Sequence, residues 1–557
     1  MWADDSQPVP VLVGARLINQ SISAIAYSSQ ESLSLVGTSI VTAAGATGPA
    51  ITFTAGSTRG ASLVDVSIDC YGARGVGIDT TQSLYMRDVY IRGCDVAVSQ
   101  TGVEPLPGGT GGNWLHVTEW AAGVQNSAWY NSNVTYTRGV RTPGGHVRSV
   151  ETLPDGIAPP TDMISRHVWD ETRMASIDTP GVANARADCG ARGDNVTDDT
   201  TALQTCLSTH LAVFLPPGLY RISAPLEMQV GGNLVGMGNA ASFLLAATDG
   251  FPGATPASPL PLLRTSDADR EGSSAAPTVI AFVGLVTWQH LAHVYTLDWR
   301  SRHPLSLWRT NFESRNCECL WVSSYSTTPE LPCKLPVNIT IAKSVVRGLG
   351  RFHSFVNDDT GHILSTGAAY RALRVVDTAG FAGPQARTRF YSLNLEHAQS
   401  EANGEIANAS WVDVYSIKAE GNLPLLWIRG SQNVSVLALG GGTCAHAYNY
   451  SYPADFTQSA PSLFRVSDSA DVKFAALLDH GYGATPPYWP PSGGDCKWTH
   501  HYPYPGESIA AYPYWTYPNV TMWNCWYGSR TATVYWYMLV VDGKGITPAD
   551  KPIFFLT

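Results

Sequence analysis

Residues 187–222 read ADCGARGDNVTDDTTALQTCLSTHLAVFLPPGLYRI, and this stretch decides the fold. It starts with a Gly-rich turn, after which a short helix is predicted. The side-chain oxygen of any of three residues can cap the start of that helix: Thr197, Asp198 or Asp199. The helix has an apolar face formed by Ala202, Leu203 and Cys206.

The second half of the stretch predicts strands. Residues 213–215 form an apolar run typical of a buried strand, and residues 216–218, Pro-Pro-Gly, turn the chain into a further strand. This order resembles the opening motif of the pectate-lyase-like superfamily, in which the helix closes the end of a right-handed parallel β-helix. The resemblance implies an all-β fold of two tandem solenoids, the second with a capping helix, and it says nothing about chemistry.

The bulk composition is consistent with that fold. A chain of 557 residues exceeds what one core usually holds, so we expect two domains. Only 14% of the residues are charged, whereas Gly numbers 52 and Pro 36, which suits β structure with many turns. The formal net charge of −10 gives no general basic surface, so we expect a neutral polysaccharide or oligosaccharide as partner and no nucleic acid or membrane.

The ten cysteines leave disulfides and buried thiols equally open. Cys70 and Cys94 are 24 residues apart, about one β-helical coil, and a bond between Cys189 and Cys206 could tie the predicted helix down. Their scattered spacing does not predict a metal site, and we expect no metal ion or other cofactor.

Glycosylation sequons favour an extracellular, N-glycosylated protein. Eight N-x-S/T sequons are present, at Asn19, Asn133, Asn195, Asn338, Asn408, Asn433, Asn449 and Asn519. The first residues, MWADDSQPVP, lack the basic segment and apolar core of a signal peptide. We therefore expect that a signal peptide has been removed or that the biological start lies elsewhere.

Strand-like segments recur along the chain and divide it. We predict a first, partial β-helix over residues 1–140, a connector over 141–186 and a second β-helix over 187–557. Tyr, Trp and Pro are too dense between about 482 and 530 for solenoid coils, so we predict a long loop there.

Two glutamates form the sharpest candidate for chemistry. Glu396 in LEH and Glu420 in KAEGN are 24 residues apart, so neighbouring coils would place their backbones only ~5 Å apart. Like charges that close raise at least one carboxyl pKa and retain a proton for general acid catalysis. The alternative is a polar ladder that faces solvent.

The run FYSLNLEHAQSEANGEIANASWVDVYSIKAEGN is similar to a region of glycoside hydrolase family 55, the exo-β-1,3-glucanases built from two tandem β-helices. The resemblance implies that Glu420 is the general acid, that Glu396 supports it and that an inverting reaction uses a water. It also implies that Gln and Ser side chains of the first domain hold this water, for which Gln100, Gln125 and Ser127 are candidates. Inverting pairs usually stand ~6.5–9.5 Å apart, so the base is expected elsewhere, or Glu396 is the nucleophile of a retaining reaction.

Further residues are candidates for binding a sugar. Flat indole rings stack on pyranoses, and Asp at strand ends binds hydroxyl groups. For any single residue, core packing or turn capping is the alternative interpretation. The predicted substrate-binding residues are His397, Trp411, Trp427, Asp377 and Asp479.

The sequence therefore predicts a secreted glycoside hydrolase that acts on a neutral β-1,3-glucan. Two alternatives remain. A polysaccharide lyase would need an Asp cluster for Ca²⁺ and a basic cleft. A non-catalytic solenoid would bind glycans as a rigid rod.

Overall fold

The computed structural model describes residues 10–28, 32–53, 60–71, 75–82, 84–109, 112–122, 134–137, 140–143, 147–169, 174–176, 178–238, 241–255, 257–266, 276–287, 291, 293–309, 312–313, 342–358, 363–364, 371–395, 398–399, 402–418, 421–422, 425–440, 443–444, 462–477, 516–517, 520–521, 537–541, 544–546 and 555–556. In this part of the chain the fold is nearly all β, with parallel sheets stacked as two β-helical solenoids. The predicted fold class is confirmed. No helix in the described ranges is long and apolar enough to cross a membrane.

Two sheets form the first solenoid. Sheet A contains the strands Val11–Val13, Arg16–Gln20, Leu33–Thr42, Ala61–Asp69, Leu84–Arg92, Leu115–Ala122 and Val147–Thr152. Sheet B contains Ile25–Tyr27, Ile51–Phe53, Val76–Thr80, Val96–Gln100 and Val103–Pro107. Leu115–Ala122 runs antiparallel to both of its neighbours and ends the parallel stack. Val147–Thr152 lies within the predicted connector but pairs into sheet A, so the connecting segment begins after it.

Two larger sheets form the second solenoid. Sheet C contains Ala183–Asn184, Asp194–Asp198, Ala212–Leu215, Gly218–Ile222, Asn233–Gly236, Ser242–Ala246, Val279–Ala281, Gly284–Val286, Leu307–Arg309, Phe312–Glu313, Gly350–Asp358, Thr388–Leu395, Ser410–Val414, Ile417–Lys418, Gln432–Gly440 and Ala470–Leu477. Sheet D contains Leu226–Glu227, Leu260–Arg264, Val294–Trp299, Ala342–Val346, Arg371–Val376, Gly404–Ala407, Leu426–Arg429, Ser462–Ser467, Tyr537–Val541 and Lys544–Ile546.

Short strands complete the described structure. One small sheet joins Val134–Thr137, Val140–Pro143 and Phe555–Leu556, and three pairs of strands are Ile363–Leu364 with Ala398–Gln399, Gly421–Asn422 with Thr443–Cys444, and Thr516–Tyr517 with Val520–Thr521. The α-helix is Thr200–Thr209.

The opening motif folds largely as predicted. The helix buries Leu203, Cys206 and Leu207 against the core of the second solenoid. Asp199 is the N-cap residue, but its carboxylate accepts the backbone N–H groups of Arg192 and Gly193 and makes no capping hydrogen bond. The backbone N–H of Thr200 is instead bound by Asp198. The carboxylates of this segment therefore hold the preceding turn as much as the helix.

Both suggested cysteine pairs are disulfides. Cys70–Cys94 joins adjacent coils of the first solenoid, with the two Cα atoms 5.2 Å apart. Cys189–Cys206 ties the capping helix to the turn before it, with a Cα separation of 5.5 Å. The alternative of buried free thiols at these four positions is excluded.

Corners with left-handed backbone geometry align along the second solenoid. Asp377, Asn408, Gly430 and Asp468 each directly follow a strand of sheet D and have φ angles of 59°, 49°, 56° and 48°. Gly, Asn and Asp adopt this conformation most readily. The side-chain amide of Asn408 donates to Asp377 Oδ1 at 3.1 Å, which links two successive corners. The recurrence of Asp, Asn and Gly at strand ends therefore reflects the turn from sheet D into sheet C.

The two solenoids pack face to face through sheets A and C. One apolar cluster contains residues of both sheets: Val36, Val64, Tyr85 and Ala121 from sheet A and Tyr391, Leu437 and Ala475 from sheet C, together with Tyr415, which lies between two strands of sheet C. Asp413 of sheet C is fully buried and pairs with Arg87 of sheet A at 3.3 Å and with Arg387 at 3.0 Å. These guanidinium groups hold the Asp413 pKa well below its usual range against the opposing effect of burial.

The connecting segment inserts His167 into this junction. His167 Nε2 lies 2.6 Å from Asp65 of sheet A, and Nδ1 lies 2.8 Å from the hydroxyl of Tyr391 of sheet C. Burial lowers the His167 pKa to about 4, so the ring is neutral at pH 7. A neutral ring that donates from Nε2 to the Asp65 carboxylate accepts the Tyr391 hydroxyl at Nδ1. One side chain thus joins both solenoids.

We predict that Asp413→Asn destabilises the protein by about 3–5 kcal/mol, because it leaves Arg87 and Arg387 buried without their carboxylate. Denaturant unfolding followed by circular dichroism measures the change. Asp249→Asn is the control, since Asp249 pairs with Arg221 at an exposed position, and it should leave the midpoint unchanged. Equal unfolding midpoints for the Asp413→Asn variant and the parent would show that the Asp413 carboxylate does not stabilise the junction.

His167 predicts a specific loss of stability in mild acid. Its folded pKa of about 4 lies below the ordinary value of 6.5, so the unfolded chain binds a proton first as the pH falls. The stabilisation is complete above pH 6.5 and decreases between pH 6.5 and 4, on the order of 1 kcal/mol per pH unit. His167→Gln should flatten this part of the profile of unfolding free energy against pH. A profile as steep as that of the parent would show that another group is responsible.

Candidate functional site

The strands that lead into the two candidate glutamates are neighbours in sheet C. Leu393 pairs with Ile417, and Asn394 pairs with Lys418, which is a separation of one coil of 24 residues. Glu396, His397 and Glu420 themselves lie outside the described residues, as does Asp479. The register immediately before the glutamates agrees with the one-coil spacing on which their pairing was predicted.

The side chains in this pair of strands separate into two faces. Leu393, Leu395 and Ile417 are buried in the core of the second solenoid. Asn394 and Lys418 alternate with them and are half-buried. Asn394 Oδ1 is buried and has no hydrogen-bond partner among the described residues. Buried polar atoms are usually satisfied, so this oxygen marks a position next to the glutamates where a donor is expected.

Trp411 lies at a strained position of sheet C. Its φ angle is 55°, which is unusual for a bulky residue, and Asn433, which lies opposite it in the unbroken register of the next strand, is also left-handed with a φ of 54°. The Arg387 guanidinium lies 4.6 Å from the centre of the indole ring. The same arginine binds the buried Asp413. Trp411 is therefore tied to the junction between the solenoids.

Asp377 is one of the left-handed corner residues described above. Its side chain is 61% exposed, and its carboxylate accepts a hydrogen bond from Asn408 and lies 3.5 Å from Arg347. These contacts agree with the turn-capping interpretation, and the exposure leaves the carboxylate accessible at the surface.

Trp427 lies on a different sheet, on the outer face of sheet D. Its indole N–H donates to Ser467 at 3.1 Å, and the guanidinium groups of Arg371, Arg429 and Arg465 lie 5.9, 5.2 and 4.4 Å from its ring centre. The ring is surrounded by cations. A sugar that reached Trp427 would therefore meet guanidinium groups as well as an aromatic surface.

Arginines continue along this outer face in positions that sequence reasoning did not identify. Glu405 is buried and lies 2.6 Å from Arg374 and 2.7 Å from Arg429, which lower its pKa despite burial. The fully buried Asp298 is surrounded in the same way by Arg264, Arg300 and Arg347. The local surface is basic although the whole chain carries a net charge of −10. Arg374, Glu405, Trp427 and Arg465 lie next to one another on four successive strands of sheet D. They are far apart in the sequence, so only the strand register shows that they form one group.

The predicted sugar-binding residues do not all come together. Trp411 and Asp377 lie near the corner between sheets D and C, whereas Lys418, which precedes Glu420, lies at the opposite end of the sheet C strands. Seven residues of extended chain separate Trp411 from Lys418, which corresponds to roughly 20 Å. One sugar-sized pocket therefore does not include both Trp411 and the residues beside the glutamates.

Gln100 of the first solenoid has a structural position. It is buried, its amide N–H groups donate to the backbone oxygens of Gln82 and Ala122, and its Oε1 accepts the indole N–H of Trp120. These bonds fix the amide inside the core of the first solenoid. Gln125 and Ser127 lie outside the described residues. Among the described residues, no group of three or more His, Cys, Asp and Glu side chains is placed to hold a metal ion.

A family model described as rhamnogalacturonase A/epimerase, pectate lyase-like, matches residues 182–278. This segment contains the opening motif and the first coils of the second solenoid. The match agrees with the pectate-lyase-like superfamily that the motif predicted. The sequence matches no curated protein.

The solved structures that match this chain share little sequence identity with it. The A-module of the mannuronan C-5 epimerase AlgE6 of Azotobacter vinelandii is 16% identical, covers 53% of this chain and 87% of its own, and has a TM-score of 0.23. PfbA, a surface adhesin of Streptococcus pneumoniae, is 10% identical over 55% of this chain and 80% of its own, with a TM-score of 0.25. A variant of sacteLam55A from Streptomyces sp. SirexAA-E in complex with glucose is 8% identical over 83% and 85%, with a TM-score of 0.19. With TM-scores this low, none of the three carries an argument about function.

Proposed function

We propose that the protein is a carbohydrate-active β-helix that hydrolyses a β-1,3-glucan with inversion, with Glu420 as general acid and Glu396 as the carboxylate that raises its pKa. The observation that carries the proposal is the pairing of Asn394 with Lys418. If this register continues by two residues on both strands, Glu396 and Glu420 occupy neighbouring rungs ~5 Å apart. The superfamily match and the resemblance around LEH and KAEGN support a polysaccharide as substrate.

The proposed chemistry follows from that spacing. Two carboxylates this close share a proton, so Glu420 stays protonated near neutral pH. It donates this proton to the glycosidic oxygen as the bond to the anomeric carbon breaks. A water attacks the anomeric carbon from the opposite face and gives its proton to a base. Since ~5 Å is too short for an inverting acid and base pair, the base is a residue other than Glu396.

Glu420→Gln should lower kcat/KM on laminarin-type oligosaccharides by about 10²–10⁴-fold, because the leaving oxygen then receives no proton. The loss should be much smaller on an aryl β-glucoside with an acidic phenol as leaving group, which departs without protonation. NMR of the first product should show the α-anomer. Glu227→Gln, at an exposed glutamate of sheet D, is the control and should retain parent activity. Equal losses on both substrates, or no hydrolysis by the parent, would contradict the proposal.

The basic outer face of sheet D favours a second candidate, a polysaccharide lyase acting on a uronate polymer. Around Trp427, the guanidinium groups of Arg371, Arg374, Arg429 and Arg465 outnumber the one buried carboxylate of Glu405, which gives the charge that such a polymer needs. A lyase would release an unsaturated sugar from polyuronates, visible by its ultraviolet absorption, and would leave laminarin intact. A glucan hydrolase would instead cleave laminarin and form no unsaturated product, so assays on laminarin and polyuronates distinguish the two candidates.

A further inference from the structure

A pocket with a volume of about 280 Å³ lies in the first solenoid, between the outer face of sheet A and residues 159–164 of the connecting segment. Its floor includes Ser39, Ser67 and Asp69, and its lining also contains Arg16, Trp114 and Met163. Trp114 and Met163 pack together with Tyr90 in a buried apolar cluster. The pocket is therefore part of sheet A and is separate from the glutamate pair, which belongs to the second solenoid.

The strand register aligns the polar groups of the floor. Arg16 pairs with Ser39, and Ser39 pairs with Ser67, so three successive strands of sheet A contribute one side chain each to a single row. Ser67 donates a hydrogen bond to Ser39 at 3.1 Å. Asp69 follows in the neighbouring row, where it pairs with Val41. The floor thus presents hydroxyl and carboxylate oxygens at the regular spacing of the strands.

The charges of the pocket do not cancel. Arg92 binds the Asp69 carboxylate through two N–H groups, at 2.9 and 2.5 Å, and so neutralises it. Asp69 Oδ1 also accepts the backbone N–H of Tyr71, which leaves room for one further donor on this carboxylate. Arg16 is exposed and has no ion pair among the described residues. Among the described residues, the pocket therefore offers the Arg16 cation without an ion-pair partner, beside a set of hydrogen-bonding oxygens.

We propose that this pocket binds a single glycosyl unit that carries a carboxylate, a hexuronate. The carboxylate of the sugar pairs with Arg16, and its ring hydroxyls exchange hydrogen bonds with Ser39, Ser67 and Asp69. The apolar wall formed by Met163 and the edge of Trp114 lies against the C–H groups of the ring. The site does not depend on the hydrolytic function proposed above, because it uses none of the same residues.

Isothermal titration with D-glucuronate, D-glucose and acetate tests this site. Glucuronate should bind at least tenfold more tightly than either glucose or acetate, because only glucuronate has both the charge and the hydroxyl groups. Arg16→Met should weaken glucuronate binding by about tenfold or more at low salt, since a hydrogen bond to a charged group is lost. Arg148→Met is the control, because Arg148 is another partly exposed arginine of sheet A outside the pocket. This variant should bind glucuronate with the affinity of the parent protein.

Ser67→Ala should weaken binding about fivefold. Ser62→Ala is its control, because Ser62 donates a hydrogen bond to Ser34 at 2.9 Å between the same two strands, five residues earlier and outside the pocket. Absence of binding, equal affinity for acetate or glucose, or equal effects of Ser62→Ala and Ser67→Ala would overturn the proposal. The same titration in the Glu420→Gln variant should give the parent affinity, so failure of this site and failure of the hydrolytic proposal are distinguishable.

Discussion

The buried carboxylate of Asp413 couples the two solenoids. It is fully buried, and its partners come from both sides of the junction, Arg87 from sheet A and Arg387 from the second solenoid. An isolated charge in such a place is strongly unfavourable, whereas a charge with several hydrogen-bonded partners is tolerated. Separation of the solenoids would therefore expose an apolar cluster and leave Asp413 without Arg87. The tandem arrangement acts as one folded unit for this reason.

The regular stacking of coils places side chains at predictable positions around each solenoid. Left-handed corners at Asp377, Asn408, Gly430 and Asp468 fix where sheet D ends and sheet C begins. Coil length between these corners varies, since the intervals are 31, 22 and 38 residues (408 − 377, 430 − 408 and 468 − 430). Insertions are accommodated elsewhere in a coil, while the register of the strands is maintained. Sheet C can therefore keep Asn394 beside Lys418 although other parts of the coils differ in length.

Features that depend on local chemistry or on one coil length were predictable from the sequence. The capping helix and the strand register before Glu396 and Glu420 belong to this group. The sequence offered the pairs Cys70–Cys94 and Cys189–Cys206 but left disulfides and free thiols equally open, and the structure shows both disulfides. Of the three residues predicted to cap the helix, Asp198 binds the N–H group of Thr200, whereas the Asp199 carboxylate binds the preceding turn. Composition could not reveal which aromatic residues share a surface. Trp411 and Trp427 are only 16 residues apart in the sequence, yet they lie on different sheets.

Net charge was the least informative property, because a solenoid separates charges by face. Around Trp427, sheet D brings together Arg371, Arg374, Arg429 and Arg465 from successive coils, and the buried Glu405 is the carboxylate that holds Arg374 and Arg429. The exposed charge of such a row is positive even though its acidic partners are present in the composition. In the pocket on sheet A, Arg92 neutralises Asp69, and Arg16 has no ion-pair partner in the described part of the chain. For this fold, the charge that a glycan meets depends on which coil positions face outward, and an overall acidic chain is compatible with an acidic ligand.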